Sequence, residues 1–309
     1  MSSSLLVTGS IAYDRIAVFK DKFANHILKG HVHNLNVSFS VDDMQVNRGG
    51  TGGNIAYNLG LLGEKPILLG AVGHDAQTYF KELAKLKVNM TYVKKLPKLL
   101  TASATIMTDL DDNQITSFYR GAMGQAHLAK IGAVKERISM AIIAPNSPKA
   151  MNDYADHCFK KGIPFIADPG QAIPAFSDTD LKDFIVGAHA LVVNDYEWQM
   201  VQEKTKWTMK EILEQVNFVI VTYGDEGSKI WCMDATVIDI PAYKPKKITD
   251  PTGCGDAYRA GLMYGFQHDF DIEKSAHIGA WLAARCVEAN GTQNHRISKT
   301  DFRKFLKTL

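Results

Sequence analysis

Long apolar runs, blocks of like charge and paired cysteines are all missing from this chain of 309 residues. Its apolar runs are strand-sized, short of the roughly 20 residues that span a bilayer, so no membrane partner is expected. No run of five or more basic residues occurs and the formal net charge is only +2, so nucleic acid is not expected as a ligand. Cys158, Cys232, Cys254 and Cys286 are scattered, with no CxxC pair and no metal-ligand spacing, and read as reduced thiols of a cytoplasmic protein. The start, MSSSLLVTGSIAYD, has no basic residue ahead of its apolar run and lacks the shape of a signal peptide. Two phosphate fingerprints are absent as well. From Gly50 the sixth position of a GxGxxG is Ile55, and no GxxxxGK(S/T) occurs.

What is present is an ordinary globular composition in a chain long enough for one large domain or two small ones. No repeat and no low-complexity linker divides it, so a single domain over residues 1–309 is expected. Mostly apolar runs recur at 5–12, 67–73, 141–145, 164–168, 191–195 and 218–224, as strands buried on both faces do. Helix-like segments such as 75–87 and 149–161 lie between them. This alternation predicts an α/β fold with a mostly parallel sheet and helices on both faces. Two regions depart from it. Residues 15–48 contain the alternating HVHNLNVSFSV, and residues 100–120 contain two β-rich runs around DLDDNQ, a hairpin pattern. Together they are expected to build a small second sheet, a lid over a site at the carboxyl ends of the main strands.

Four stretches carry weak signals. In RGGTGGNIAYNLGLLG (48–63), Gly49 and Gly50 would let backbone approach a ligand, with Asn54 donating and accepting at a helix start; a turn with an N-cap explains them equally well. Asp14 follows the first run, where a carboxylate can accept two hydroxyls of a sugar diol, although a turn aspartate is the simpler reading. In NDYE, Asn194 and Glu197 share a helix face and would hold a hydrated Mg²⁺ or, more simply, cap the helix. In VTYGDEGSKIW (221–231), Thr222, Gly224 and Gly227 serve a hairpin or a phosphate-contacting turn.

The strongest signal is DPTGCGDAYRAG (250–261). Gly253 and Gly255 free the backbone to aim successive N–H groups at the positive end of a helix over 257–267, an anion site. Asp256 would repel a resident phosphate. It has a task if a phosphoryl group is transferred there, accepting the proton of the attacking hydroxyl while the amides stabilise the phosphoryl oxygens. An aspartate N-cap after a glycine turn is the plain alternative.

In this order the motifs resemble the ribokinase-like PfkB family of carbohydrate and nucleoside kinases. The family's GG-x3-N is matched by Gly49, Gly50 and Asn54, its N-x-x-E by Asn194 and Glu197, and its D-T-x-G-A-G-D by Asp250, Gly253, Gly255 and Asp256. The agreement in order and spacing covers essentially the whole chain. Departures are Pro251 for Thr, Cys254 for Ala and Tyr258 for Phe. Pro251 lacks an N–H, which bears on the loop before the anion hole and on any monovalent-cation site near it. The resemblance implies a Rossmann-like α/β kinase with a small β lid, using ATP and Mg²⁺. It implies Asp256 as base and Gly253, Cys254 and Gly255 as anion hole. It also implies Asp14, Gly49, Gly50 and Asn54 on the sugar hydroxyls, Asn194, Thr222, Gly224 and Gly227 on the ATP side, and Glu197 on Mg²⁺ through water. HNLNVSF, DDNQITSFYRGAM and DPGQ most resemble prokaryotic nucleoside kinases related to adenosine kinase. The expected acceptor is therefore the ribose 5′-hydroxyl of a nucleoside. The alternatives are a kinase of ribose, fructose or a related sugar, and a non-catalytic nucleoside binder. Phe39, Gln114, Phe118 and Met123 would flank a purine or form lid core; Gln171 would reach substrate or ATP, or close a turn.

Overall fold

The computed structural model describes residues 3–27 and 36–309. The chain opens with strands β1 (Ser4–Thr8) and β2 (Ala12–Val18), one turn of helix α1 (Phe23–His26), β3 (Met44–Gly49) and helix α2 (Thr51–Leu62). Next come β4 (Ile67–Leu69), β5 (Ala71–Val72), α3 (Gln77–Lys85), β6 (Lys94–Lys95) and the hairpin of β7 (Ala102–Thr108) and β8 (Gln114–Tyr119). An alternating series follows: β9 (Ile138–Ile143), α4 (Pro148–Lys161), β10 (Phe165–Ala167), α5 (Asp178–Ile185), β11 (Ala190–Asn194), α6 (Asp195–Thr205), α7 (Met209–Leu213) and β12 (Phe218–Thr222). Strands β13 (Ser228–Cys232) and β14 (Val237–Ile240) and helices α8 (Cys254–Gln267), α9 (Ile272–Cys286) and α10 (Lys299–Leu306) complete it.

The main sheet runs β14-β13-β12-β11-β10-β9-β1-β4, parallel from β12 to β4 and antiparallel only at the β13 and β14 edge. Alternate residues feed two helical layers. Leu5, Val7, Ile142, Val192 and Ile220 pack with α2, α8 and α9, while Leu6, Ile143, Val193 and Val221 pack with α4 and α5. Burial on both faces is why these strands are apolar throughout. Gly261 and Gly279 bring α8 and α9 into backbone contact; a Cβ on Gly261 would stand 2.5 Å from the Gly279 Cα. Among the described residues no helix is long and apolar enough to cross a membrane.

The second sheet runs β3-β2-β7-β8, with β2 and β7 parallel and the outer pairs antiparallel. It corrects three expectations. The run 5–12 is two strands: Gly9 packs against Gly52, the chain bends, and β2 leaves the main sheet for the small one. Asp14 therefore lies within β2 and not at the carboxyl end of a main strand. Residues 36–41 form no strand, and residues 31–35 of HVHNLNVSFSV lie outside the described part. There Phe39 packs on Phe19 and Phe23, with ring centroids 5.0 and 4.9 Å apart, so its partners are other side chains of this region. The 67–73 run likewise breaks at Gly70, and β5 pairs with β6.

Candidate active site

Strand order reverses around β1, whose neighbours are β4 on one side and β9 on the other, and a crevice opens beyond the carboxyl ends at such a switch point. A cavity of about 460 Å³ lies there. Its walls are Pro145 after β9, Asp168, Gly170 and Gln171 after β10, Asn194, Asp195 and Glu197 at the end of β11, and Thr222 and Gly224 at the end of β12. The first turns of α2 and α8 close it with Thr51, Gly253, Gly255 and Asp256. A larger cavity of about 660 Å³, at the opposite strand ends around Ser3 and Pro164, contains none of these residues.

Helix α8 begins at Cys254, three residues earlier than expected, with Gly253 as its N-cap at φ 83°, a conformation that favours glycine. Asp256 is thus the third residue of the first turn and not the N-cap. Its carboxylate stands among N–H groups that a helix leaves unpaired. One amide of that turn has a protein partner: Cys254 N–H donates to the Pro251 carbonyl at 3.2 Å. The backbone N–H groups of Gly253, Gly255 and Asp256 have no protein acceptor among the described residues.

Asp256 is pushed up to about 6 by burial, against the pull of the Asn54 amide and the Arg259 guanidinium; Glu197 and Asp14 push it further up. Asn54 Nδ2 donates to Asp256 Oδ2 at 2.7 Å. Asn54 is placed by Gly50, the N-cap of α2 at φ 84°, where a Cβ would come 2.6 Å from the Ser10 carbonyl.

Beneath the cavity lies an ion pair absent from the sequence expectations. Arg259 is buried, with Nε 2.6 Å from Asp168 Oδ2 and Nη2 donating to Asp168 Oδ1 at 2.7 Å. Arg259 Nη1 donates to the Gly255 carbonyl at 3.2 Å, and Nη2 lies 3.8 Å from Glu197 Oε2. Burial raises Asp168, and Arg259 opposes it. A lone arginine among the small residues of AYRAG was the available signal, since a buried guanidinium needs a carboxylate.

The remaining expected residues divide. Asn194 and Glu197 do form a capping box: Asn194 Oδ1 accepts from Glu197 N at 2.7 Å and Glu197 Oε2 from Asn194 N at 2.9 Å. Both also line the cavity, as do Gln171, Thr222 and Gly224. Gly227 does not. It packs against β14, where a Cβ would strike the Ile240 carbonyl. Asp14 and Gly49 meet in the small sheet, where a Cβ on Gly49 would strike the Asp14 carboxylate. Burial and the Asp250 charge raise the Asp14 pKa. Gln114 and Phe118 lie on β8, every residue of which is exposed, and Met123 is half-buried in the short helix after it. Register places Phe118 in the same row as Asp14. Asn47, Asp14, Ala104 and Phe118 form one row across β3, β2, β7 and β8, on one face of the sheet. Phe118 and Asp14 are then two strand spacings, about 10 Å, apart.

The sequence pattern of the pfkB family carbohydrate kinase matches residues 3–299. The chain is similar to the nucleoside kinase of Methanocaldococcus jannaschii, 32% identical over 262 residues that cover 84% of this chain and 85% of that protein. It superposes on the structure of Burkholderia thailandensis nucleoside kinase in complex with inosine with a TM-score of 0.87 and 38% identity, over 99% of this chain and 97% of that one. For the same protein in complex with ADP-inosine the TM-score is 0.85 and the identity 39%, over 99% and 95%. On this match, and on the fold and site it spans, the chain belongs to the pfkB family of carbohydrate kinases.

Proposed function

We propose that this chain is an ATP-dependent nucleoside kinase acting on the ribose 5′-hydroxyl. The observation that carries the reaction is a half-buried carboxylate, Asp256, in a helix turn where the N–H groups of Gly253, Gly255 and Asp256 have no protein acceptor among the described residues. The acceptor hydroxyl oxygen attacks the γ-phosphorus as the bond from phosphorus to the β,γ-bridging oxygen breaks. ADP leaves with the electron pair, and the hydroxyl proton passes to Asp256. Gly253 and Gly255 N–H groups stabilise the transferring oxygens, a geometric task that needs no reorganisation during the reaction. Asp14 and the Gly49–Gly50 backbone hold the ribose hydroxyls, Phe118 and Gln114 approach the base, and Gln171 borders the substrate. Asn194, Thr222 and Gly224 face the ATP side, with Gly227 shaping that turn.

Mg²⁺ fits this cavity in one way. Glu197 lines it, and its Oε1 carries no protein hydrogen bond among the described residues, so it would hold a hydrated ion. The ion supplies positive charge to the β- and γ-phosphate oxygens when bound. Near the Pro251 loop both Asp250 oxygens accept amides, of Thr252 and Gly291 at 2.9 Å each, and a monovalent cation there would share their remaining lone pairs. We assign the whole chain to one kinase domain over 1–309, with about 15–48 and 100–120 as lid. The reaction is placed in the cytoplasm, where ATP and free thiols coexist.

The test is a panel of acceptors with ATP consumption and product identity as readouts. Adenosine, inosine, guanosine or cytidine should yield the 5′-monophosphate at concentrations far below those needed for ribose or fructose. Faster turnover of a free sugar would overturn the nucleoside assignment.

A further inference from the structure

We propose that Gln293, which lies outside every motif of the site, is a positioning residue that turns the Asn54 amide so that its NH2 group faces Asp256. This rests on the assignment of Asp256 as the base. An asparagine amide is nearly symmetric in shape, and reversing it would set a carbonyl oxygen against the carboxylate. What forbids the reversal is the other end of the group. Asn54 Oδ1 accepts from Gln293 Nε2 at 2.9 Å and lies 2.9 Å from the Thr292 hydroxyl. That hydroxyl is also 2.9 Å from the Arg48 carbonyl, and one proton cannot serve both acceptors fully. Gln293 is therefore the constant donor.

Its own orientation is set in turn. Gln293 Nε2 donates its second hydrogen to Tyr79 Oη at 2.7 Å, and the Tyr79 hydroxyl donates to the Gly49 carbonyl at 2.7 Å. Tyr79 is fully buried and its pKa is raised by that burial, so it remains a phenol with a proton to give. Gln293 is 2% exposed, and its Oε1 has no partner among the described residues. The amide is thus oriented by what its NH2 group gives. Turned over, it would meet two oxygens with a third. The chain of donation runs one way, from Gln293 through Asn54 to Asp256, with Tyr79 and the Gly49 carbonyl as its other anchor. It stabilises the ionised form of Asp256, the form that takes a proton.

The other groups facing Asp256 are Arg259 from its own helix, Glu197 from α6, Asp14 from β2, Asp168 after β10, and the thiols of Cys254 and of Cys286 from α9. A substitution at Gln293 changes none of them. Two variants test the role. Gln293→Met deletes the donor; Gln293→Glu keeps the shape but, once ionised, offers only oxygens and draws the Asn54 NH2 group towards itself. In both, the acid limb of kcat/KM should move to higher pH, by about one to two units for one hydrogen bond to a charged group. Turnover on the alkaline plateau should stay close to that of the unmodified chain. An acid limb that stays in place in both variants, whether or not turnover falls at all pH values, overturns the proposal. Asp256→Asn measured alongside separates the two readings. If it is inactive while the limb does not move, only the role of Gln293 fails; if it turns over normally, the assignment of the base fails with it.

Discussion

At Asp256 two requirements conflict, and the conflict is measurable. As the proposed base, Asp256 must be able to take a proton near neutral pH, and burial favours that by raising it to about 6. An unfolded aspartate titrates near 3.9. Between those values the folded chain holds a proton that the unfolded chain has lost. The resulting stabilisation is complete below about pH 4 and gone above about pH 6. Asp256→Asn should therefore lower kcat by about 10²–10⁴-fold and yet raise Tm at pH 8, by relief of about 1–2 kcal/mol, with no gain at pH 4. Turnover near that of the parent chain, or an equal Tm shift at both pH values, would contradict this account. Asp14 supports a separate expectation. If it accepts the ribose diol, Asp14→Ala should raise KM and lower kcat together, since positioning energy is lost. The parent chain should prefer adenosine over its 2′-deoxy analogue much more than the variant does. Equal discrimination in steady-state kinetics would move the diol contact elsewhere.

Among the elements, what was legible in the sequence depended on whether the cause was local. The main strands could be read because burial on both faces demands apolar residues throughout, as in Val219 to Val221. The small residues Ala257, Ala260 and Gly261 of α8 suit close packing on a neighbour, and Gly261 does meet Gly279. The split between β1 and β2 was not legible, because nothing in LLVTGSIAYD marks Gly9 as the place where Gly52 of α2 presses in from 43 residues away. Nor was the Arg259–Asp168 pair, whose partners are 91 residues apart. The motif residues of the site were visible as types and spacings. The residues that orient them, Gln293 and Tyr79, were not, since a glutamine or a tyrosine in isolation has no spacing rule. The α8 and α9 contact provides the test at this scale. Gly261→Val should destabilise by about 1–3 kcal/mol through overpacking against Gly279, read as a lower urea midpoint with an unchanged m-value. An unshifted midpoint would mean that the two helices can separate freely.

At the scale of the whole molecule, the proposed lid makes the small sheet a source of specificity for a site built on the main one. The strand row from Asp14 to Phe118 gives the small sheet one face carrying a carboxylate, two isoleucines (Ile16 and Ile106) and an aromatic ring. Phe118 is 51% exposed, a large apolar surface. A purine offers a flat apolar face to such a wall, whereas a bare sugar needs hydrogen-bond partners and would gain little from it. If the small sheet closes on the main one as a lid, a bound nucleoside should slow amide exchange in β3 and β8 together, because the covered face spans all four strands. Ribose at saturating concentration should protect the segment around Asp14 and leave β8 exchanging as in the free chain. Phe118→Ala should weaken nucleoside binding by about 1–3 kcal/mol, the range for one stacked base, while ribose binding stays unchanged. Exchange and calorimetry on the same pair of proteins decide the matter. Equal weakening of nucleoside and ribose would show that Phe118 only supports the sheet, and an unprotected β8 would show that recognition of the base lies entirely on the main-sheet side.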